Sequence, residues 1–301
     1  MIAIKSTFIL YSELLKYGLG FVSLFFVARY MGPSALGMIG IAVGYTLVFS
    51  FIADLGLGTA HSKFLADSNT DKGLCNSAFL FLKLVSVFLF SFLVVISIFF
   101  TKSNDTFPFD YEQEMIIYII LVSTIISQLS RIPKFTFEGN QQPSKSKVPE
   151  LFQKIVLDSL QIIIAVFGLG IILLAGSYVA SNLIMLMLLF YFYRSIEFKR
   201  LKKEYIMKYL NFIFPLVPYL VIASLSLGLT RILISIDFSV DEVGFFEAAT
   251  KLALIFALIH HSVQPIIFPK FSSYHSEKKY DKISDLSIKS ERYLFIIGTP
   301  I

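Results

Sequence analysis

"RYMGPSALGMIG", Arg29 to Gly40, separates two long apolar stretches and decides how the chain folds. Pro33 pre-sets a turn, Gly32 relieves it, and Gly37 allows close helix approach. The surroundings are almost free of charge. Met31 to Ala53 runs 23 residues without a charged side chain, Leu84 to Thr101 18, Ser159 to Tyr193 35 and Tyr209 to Thr230 22. About 20 apolar residues cross a bilayer as a helix, so several of these runs span a membrane. Composition agrees: of 301 residues, 56% are hydrophobic, 16% are charged and 32 are Phe, too little charge to cover a soluble domain. The expected fold class is an all-α, polytopic membrane protein.

The single cysteine, Cys75, excludes an intrachain disulfide framework. Lys5 precedes an apolar stretch that carries Glu13 and Lys16 and no small-residue cleavage site, so it reads as a first transmembrane helix and not a removed signal.

Apolar length, turn residues and charge clusters predict helices over Thr7–Tyr30, Ala35–Ala60, Leu74–Thr101, Glu112–Ile132, Pro149–Leu169, Ile171–Tyr193, Tyr209–Ile236 and Glu242–Phe268. A ninth begins near Arg292, preceded by "EKKYDKISDLSIKSER", a short amphipathic helix or a solvated linker. The 35-residue uncharged run is too long for one untilted helix and carries Gly168, Gly170 and Gly176, which split it in two.

The N-terminal tail and the even-numbered loops hold 19 Lys and Arg, whereas the odd-numbered loops hold 2, Arg29 and Lys102. This asymmetry puts the N-terminus and even loops in the cytoplasm. It also accounts for the net charge of +5 without a nucleic-acid partner.

An internal repeat follows. "ALGMIGIAVGYTLVFSFIADLGLGTAHSKF" aligns without gaps to "EVGFFEAATKLALIFALIHHSVQPIIFPKF"; Gly37 falls on Gly244 and Lys63-Phe64 on Lys270-Phe271, each 207 residues apart. The offset spans six predicted helices, an even number, and so preserves orientation. Two parallel six-helix repeats are a transporter architecture. The expected units are 1–208, a first bundle with a basic loop, and 209–301, the start of a second bundle that is incomplete in this chain.

"RYMGPSALGMIG", followed by "FIADLGLGTAHSKFLA", resembles the start of Wzx-type polysaccharide flippases of the multidrug/oligosaccharidyl-lipid/polysaccharide (MOP, MATE-like) exporter superfamily. "FEGNQQ" resembles the loop after their fourth helix, and "VGFFEAATKLA" with "IIFPKFSS" their seventh-to-eighth-helix region. The resemblance covers essentially the whole chain. It implies translocation of a polyprenyl-diphosphate-linked oligosaccharide, such as an O-antigen repeat unit, across a bacterial cytoplasmic (inner) membrane by alternating access. Membrane lipids and other polysaccharide-assembly proteins are the implied partners. The family often has an acid just before the arginine late in helix seven, whereas Thr230 precedes Arg231 here. Members usually have about twelve helices or more, so a chain ending at "FIIGTPI" is expected to be truncated.

No soluble-enzyme motif is present, and the histidines His61, His260, His261 and His275 have no metal-ligand spacing with cysteine. No catalytic role, cofactor or metal is expected. Attention falls on ionisable residues within the spans, which are costly in lipid and face a protein interior or a cavity. Arg231, Lys251, Lys16 and Lys83 are the candidate cavity residues for an anionic diphosphate. Asp54, His261, Glu13 and Glu247 are candidates for proton coupling; Asp54 and His261 are repeat counterparts. The plainer readings are internal ion pairs for Glu13 with Lys16 and Glu247 with Lys251, and snorkelling to the interface for Lys83 and Lys154. Gly40 and Gly44, at GxxxG spacing, read as a packing face. Two competing functions are a cation-coupled multidrug exporter, which would want an acidic cavity, and a membrane-embedded polymerase or glycosyltransferase, which would want a longer outer loop than Lys102 to Tyr111.

Overall fold

The computed structural model describes residues 2–67, 70–103, 110–194, 196–253, 274 and 279–298. These residues form helices and connecting turns, with no strand among them. The helices are α1 (Ile2–Asp54), α2 (Leu57–Ala66), α3 (Lys72–Ser103), α4 (Tyr111–Gly139), α5 (Pro143–Val166), α6 (Ile171–Tyr193), α7 (Lys203–Ile213) and α8 (Val217–Asp237). Residues 240–253 form α9 and Tyr280–Gly298 form α10.

Among the described residues, five segments are long and apolar enough to cross a membrane: Ser12–Ala66, Lys72–Ser103, Tyr111–Gly139, Ile171–Tyr193 and Lys203–Asp237. The first, at 55 residues, is long enough for two crossings. α5 falls outside this set because it carries five charged side chains, yet its 24 residues reach about 36 Å. Large apolar side chains face outward along the spans, Phe88, Phe99 and Phe100 among them, as lipid contact requires.

The Gly-Pro stretch turns the chain within a single residue. Gly32 has φ 79° and ψ 178°, a conformation that costs a side-chain-bearing residue and suits glycine. Pro33 follows as the first residue of the next helical run, where its missing N–H has no partner to lose. Leu24 and Val27 line one cavity together with Leu36 and Ile39. In a straight helix Leu24 and Ile39 would lie about 22 Å apart, so the two halves of α1 fold back toward each other.

The predicted second helix, Ala35–Ala60, is interrupted. Leu55 and Gly56 take positive φ, 45° and 71°, and α2 restarts at Leu57. α4 runs to Gly139, seven residues past the predicted end at Ile132, because Pro133 is accommodated inside it. The predicted split of the uncharged run occurs at Phe167–Gly170, with Gly168 and Gly170 at positive φ, while Gly176 stays inside α6. The predicted seventh helix is two pieces, α7 and α8, joined by a 3-10 turn over Phe214–Leu216 that contains Pro215. The expected start of a new helix at Arg292 is not observed. α10 runs unbroken from Tyr280 to Gly298, as a segment without glycine or proline before its last residue permits. The remainder of the predicted eighth helix, with His260 and His261, lies outside the described residues, as does His275.

Two apolar clusters hold the elements. One joins both halves of α1 to α3, α4, α5 and α6 through residues such as Ala42, Phe90, Val94, Ile116 and Ala175. The other, at the end carrying the basic loops, joins α2, α3, α4 and α6 to α7 through Phe79, Phe137, Leu189 and Tyr209. Tyr209 is anchored by His61, whose Nδ1 lies 2.7 Å from its hydroxyl while Nε2 lies 3.0 Å from Thr136.

α8 and α9 pack on the second half of α1 along a glycine seam. A Cβ at Gly37 would stand 1.9 Å from the carbonyl oxygen of Val240, and one at Gly244 2.0 Å from that of Pro33. Val240 is the counterpart of Pro33, and Gly244 that of Gly37, at the 207-residue offset. The contact is therefore reciprocal, as a pseudo-twofold axis demands. Gly40 packs against the Cγ of its own counterpart, Glu247, which puts the axis between them.

Candidate functional site

Polar side chains inside the spans converge on a cleft made of three adjoining cavities, of about 440, 320 and 170 Å³. Tyr178 of α6 lines all three. Leu24, Gln161 and Lys251 are shared by the two smaller ones, and Val43 connects the smallest to the largest.

The largest cavity lies between α1, α4, α6 and α8. Its walls carry hydroxyl and amide groups, among them Thr46, Ser127, Asn182 and Ser224, and one charged pair, Asp54 with Arg131. Arg131 Nη1 lies 2.8 Å from Asp54 Oδ2. Behind this wall sits Lys83, 1% exposed, donating to the carbonyl of Ala53 at 2.6 Å and to Gln128 Oε1 at 2.8 Å, with Asp54 Oδ1 at 3.7 Å. Ala53 is the penultimate residue of α1, where helix carbonyls lack partners and the dipole favours a cation. Lys83 thus caps that helix end. It does not snorkel, and it is not among the residues that line the cavities.

The 320 Å³ cavity is the basic one. Lys16 and Tyr17 of α1, Lys154, Asp158 and Gln161 of α5, Tyr178 and Lys251 of α9 surround it. Lys154 Nζ donates to Asp158 Oδ1 at 2.8 Å, and Gln161 accepts from Ser23 at 2.8 Å, so the α5 wall is tied to α1. The 170 Å³ cavity beside it is apolar apart from Gln161, Tyr178, Glu247 and Lys251.

The proposed ion pair of Glu13 with Lys16 exists, at 2.7 Å, but belongs to a larger network. Glu150 lies 2.5 Å from Lys134, 3.1 Å from Lys147 and 3.7 Å from Lys16, and Lys147 also reaches Glu13 at 3.4 Å. The expected pair of Glu247 with Lys251 is replaced. Glu247 accepts from Arg231 Nε, and Arg231 also donates to the Leu227 carbonyl. The acid missing before Arg231 is thus supplied across the seam, from α9. Arg231 is 11% exposed and packs on Gly44, within the helix interface and not among the cleft-lining residues. Of the four candidate cations, Lys16 and Lys251 line the cleft, while Arg231 and Lys83 sit behind it. Of the candidate proton carriers, Asp54 and Glu247 line it, each ion-paired, and Glu13 lies in the adjoining network; His261 is outside the described residues.

Sequence reasoning missed Arg131 as a site residue because, at the end of the predicted helix Glu112–Ile132, it was counted with the basic residues of the loop that follows. The signal was present in Ser123, Ser127 and Arg131 at spacings of four, with Thr124 and Gln128 alongside, a polar stripe along one face of the predicted helix that includes Arg131. Tyr178, Gln161 and Asn182 carried no such signal; only packing assembles them. No group of three or more metal-ligating side chains occurs among the described residues.

A multi-pass α-helical membrane protein with reciprocal helix packing about a polar central cleft has the architecture of a transporter. Among solved structures the chain is similar to one described as the "inward-facing conformation of a multidrug resistance MATE family transporter of the MOP superfamily", with a TM-score of 0.75, 16% identity, and coverage of 95% of this chain and 68% of that chain. At this identity the likeness concerns the fold, which is MATE-like. The sequence profile of the polysaccharide biosynthesis protein family matches residues 26–301, and the chain belongs to that family. No curated protein matches it.

Proposed function

We propose that the chain moves a polyprenyl-diphosphate-linked oligosaccharide, an O-antigen or similar repeat unit, across a bacterial inner membrane by alternating access, with its N-terminus cytoplasmic. The observation that carries this reading is the cleft, where Lys16, Lys154 and Lys251 gather around a cavity adjoining a hydroxyl- and amide-lined one. Fixed ammonium groups offset the desolvation of a diphosphate, and hydroxyl and amide groups suit sugars. Membership of the polysaccharide biosynthesis family supports the cargo class, and the MOP fold supports the transport mode. Residues 1–208 and 209–301 are the two units whose relative rocking would open the cleft to either side, with lipid tails left in the bilayer.

The test is complementation. The gene is deleted in its host and restored as wild type or Lys251→Ala, and surface polymer is followed alongside unflipped lipid-linked units. Rescue by the wild type, with loss of polymer and accumulation of unflipped units in the variant, is expected. Normal polymer with altered dye or drug sensitivity in the deletion strain would replace the reading with a multidrug exporter.

A further inference from the structure

Among the described residues lining the basic cavity there is one carboxylate, and it is the most deeply buried charge there. The Asp158 side chain is 1% exposed. Its Oδ1 is taken by Lys154 on the same helix, while its Oδ2 is buried with no hydrogen-bond partner. A buried carboxylate oxygen left unpaired is costly, which points to a partner that comes and goes.

The neighbours of Asp158 narrow the choice. From α1, Lys16 is held by Glu13 and Glu150. Lys154 is held by Asp158 itself, Gln161 by Ser23, and Tyr17 and Tyr178 complete the wall. Lys251 approaches from α9 across the seam, within electrostatic reach of Asp158. Among the described residues no hydrogen bond or ion pair reaches the Lys251 ammonium, and its neighbour Glu247 is committed to Arg231. An ammonium without a partner and a carboxylate oxygen without a partner thus line the same cavity, one from each side of the seam.

We propose that Asp158 is a built-in counter-anion for Lys251, and that a phosphate or diphosphate entering the cavity displaces it. The structure shows the Lys251 ammonium and Asp158 Oδ2 apart, each unpartnered among the described residues; in a second conformation of the anion-free cleft Lys251 swings to Asp158 Oδ2 and links α5 to α9. An incoming anion takes Lys251, breaks the link and frees α9 to move. This deepens the flippase reading and rests on it for the source of the anion, but the exchange is a property of the site alone. A neutral drug would gain nothing from releasing Lys251, so the device selects for anionic cargo.

The test uses the full chain in lipid nanodiscs and measures binding of two probes by calorimetry, inorganic diphosphate and farnesyl diphosphate. Asp158→Asn removes the competitor while keeping the side-chain shape, and is expected to bind both probes about tenfold tighter than wild type, the magnitude of one modest charge interaction. A gain in affinity cannot come from misfolding. Lys251→Met is expected to weaken binding, and in that background Asp158→Asn is expected to change nothing. Unaltered or weaker binding in a folded Asp158→Asn protein overturns the proposal. So does wild-type affinity in Lys251→Met, which holds even if the Asp158 variant does not fold. Preference for farnesyl diphosphate assigns the site to a lipid headgroup, and equal binding to free phosphate groups; binding of neither overturns it. No readout requires transport, so failure of the complementation test leaves the exchange standing, and failure here leaves flipping to be decided there.

Discussion

Gly37 and Gly244, 207 residues apart, each meet the backbone of the other's helix: Gly37 faces the carbonyl of Val240, and Gly244 that of Pro33. The two contacts are the same contact, seen from either side of a pseudo-twofold axis. They bring the second half of α1 and α9 to backbone distance at the end of the molecule opposite the basic loops. Gly44 and Gly228 extend the seam inward, where Gly228 abuts the Val48 backbone.

Substitution along this seam is expected to separate the helices. Gly37→Val and Gly244→Val each drive a side chain into a carbonyl and should destabilise the protein by about 1–3 kcal/mol. Gly176→Ala, where nothing lies within 4 Å, should instead stabilise α6 by about 0.5–1 kcal/mol. Thermal melts of the purified protein decide it; equal melting points for all three would sink the seam.

Lys83 is expected to be a structural cation. Lys83→Met leaves the Ala53 carbonyl and Gln128 unmatched and strips a partner from Asp54, at a cost of about 3–5 kcal/mol. Arg131→Ala, at a half-exposed position on the cleft wall, should cost about 1 kcal/mol and impair transport more than folding. A Lys83→Met protein that melts as wild type would return Lys83 to the list of cargo ligands.

The Arg231 and Glu247 pair is expected to be coupled across the seam. Arg231→Ala and Glu247→Ala should each destabilise, and the double variant should cost less than the two effects added together, since the second removal no longer strands a buried charge. Strict additivity in a double-mutant cycle would show that the two act independently.

Tyr209→Phe removes the hydroxyl that meets His61 Nδ1 in a fully buried site and should cost about 1–3 kcal/mol. The loss should also loosen α7, read as faster hydrogen exchange in Lys203–Ile213, because Tyr209 is its most buried anchor.

At the basic end, Asp71 accepts from Lys199 Nζ at 2.7 Å and from the Leu74 amide at 3.2 Å, and these contacts hold its carboxyl below the ordinary carboxylate range. A depressed folded-state pKa means the stabilisation is present above the ordinary carboxylate pKa and is lost as pH falls through the depressed one. Exchange protection at Leu74 should therefore be full at neutral pH and fall away in acid, and Asp71→Asn should remove that dependence.

Much of the fold was legible because lipid imposes a simple rule. A span must be apolar for its whole length and helical to satisfy its backbone, so charge-free runs and their breaks locate helices directly. α6 matches its prediction at both ends, Ile171 and Tyr193. The errors fall where that rule is silent: at Leu55–Gly56 and Phe214–Leu216, where helices bend inside apolar sequence, and at the polar end of α4, which continues past Ile132 because it packs against α2. The site was less legible. Lys83, Arg231 and Lys251 look alike in sequence, each a cation in an apolar helix.

The amino-acid sequence by itself determined that this is a multi-pass helical membrane protein and that it turns at Gly32–Pro33, and it suggested a period of 207 residues that the reciprocal contact of Gly37 and Gly244 then gave a spatial meaning. Those properties are written in composition, period and chain order. Which charges face the cleft was decided only by the tertiary structure. An ion pair depends on which helix faces arrive opposite each other, so Glu247 meets Arg231 from 16 residues away rather than Lys251 one turn along its own helix, and Lys83 is consumed by a helix end 30 residues earlier.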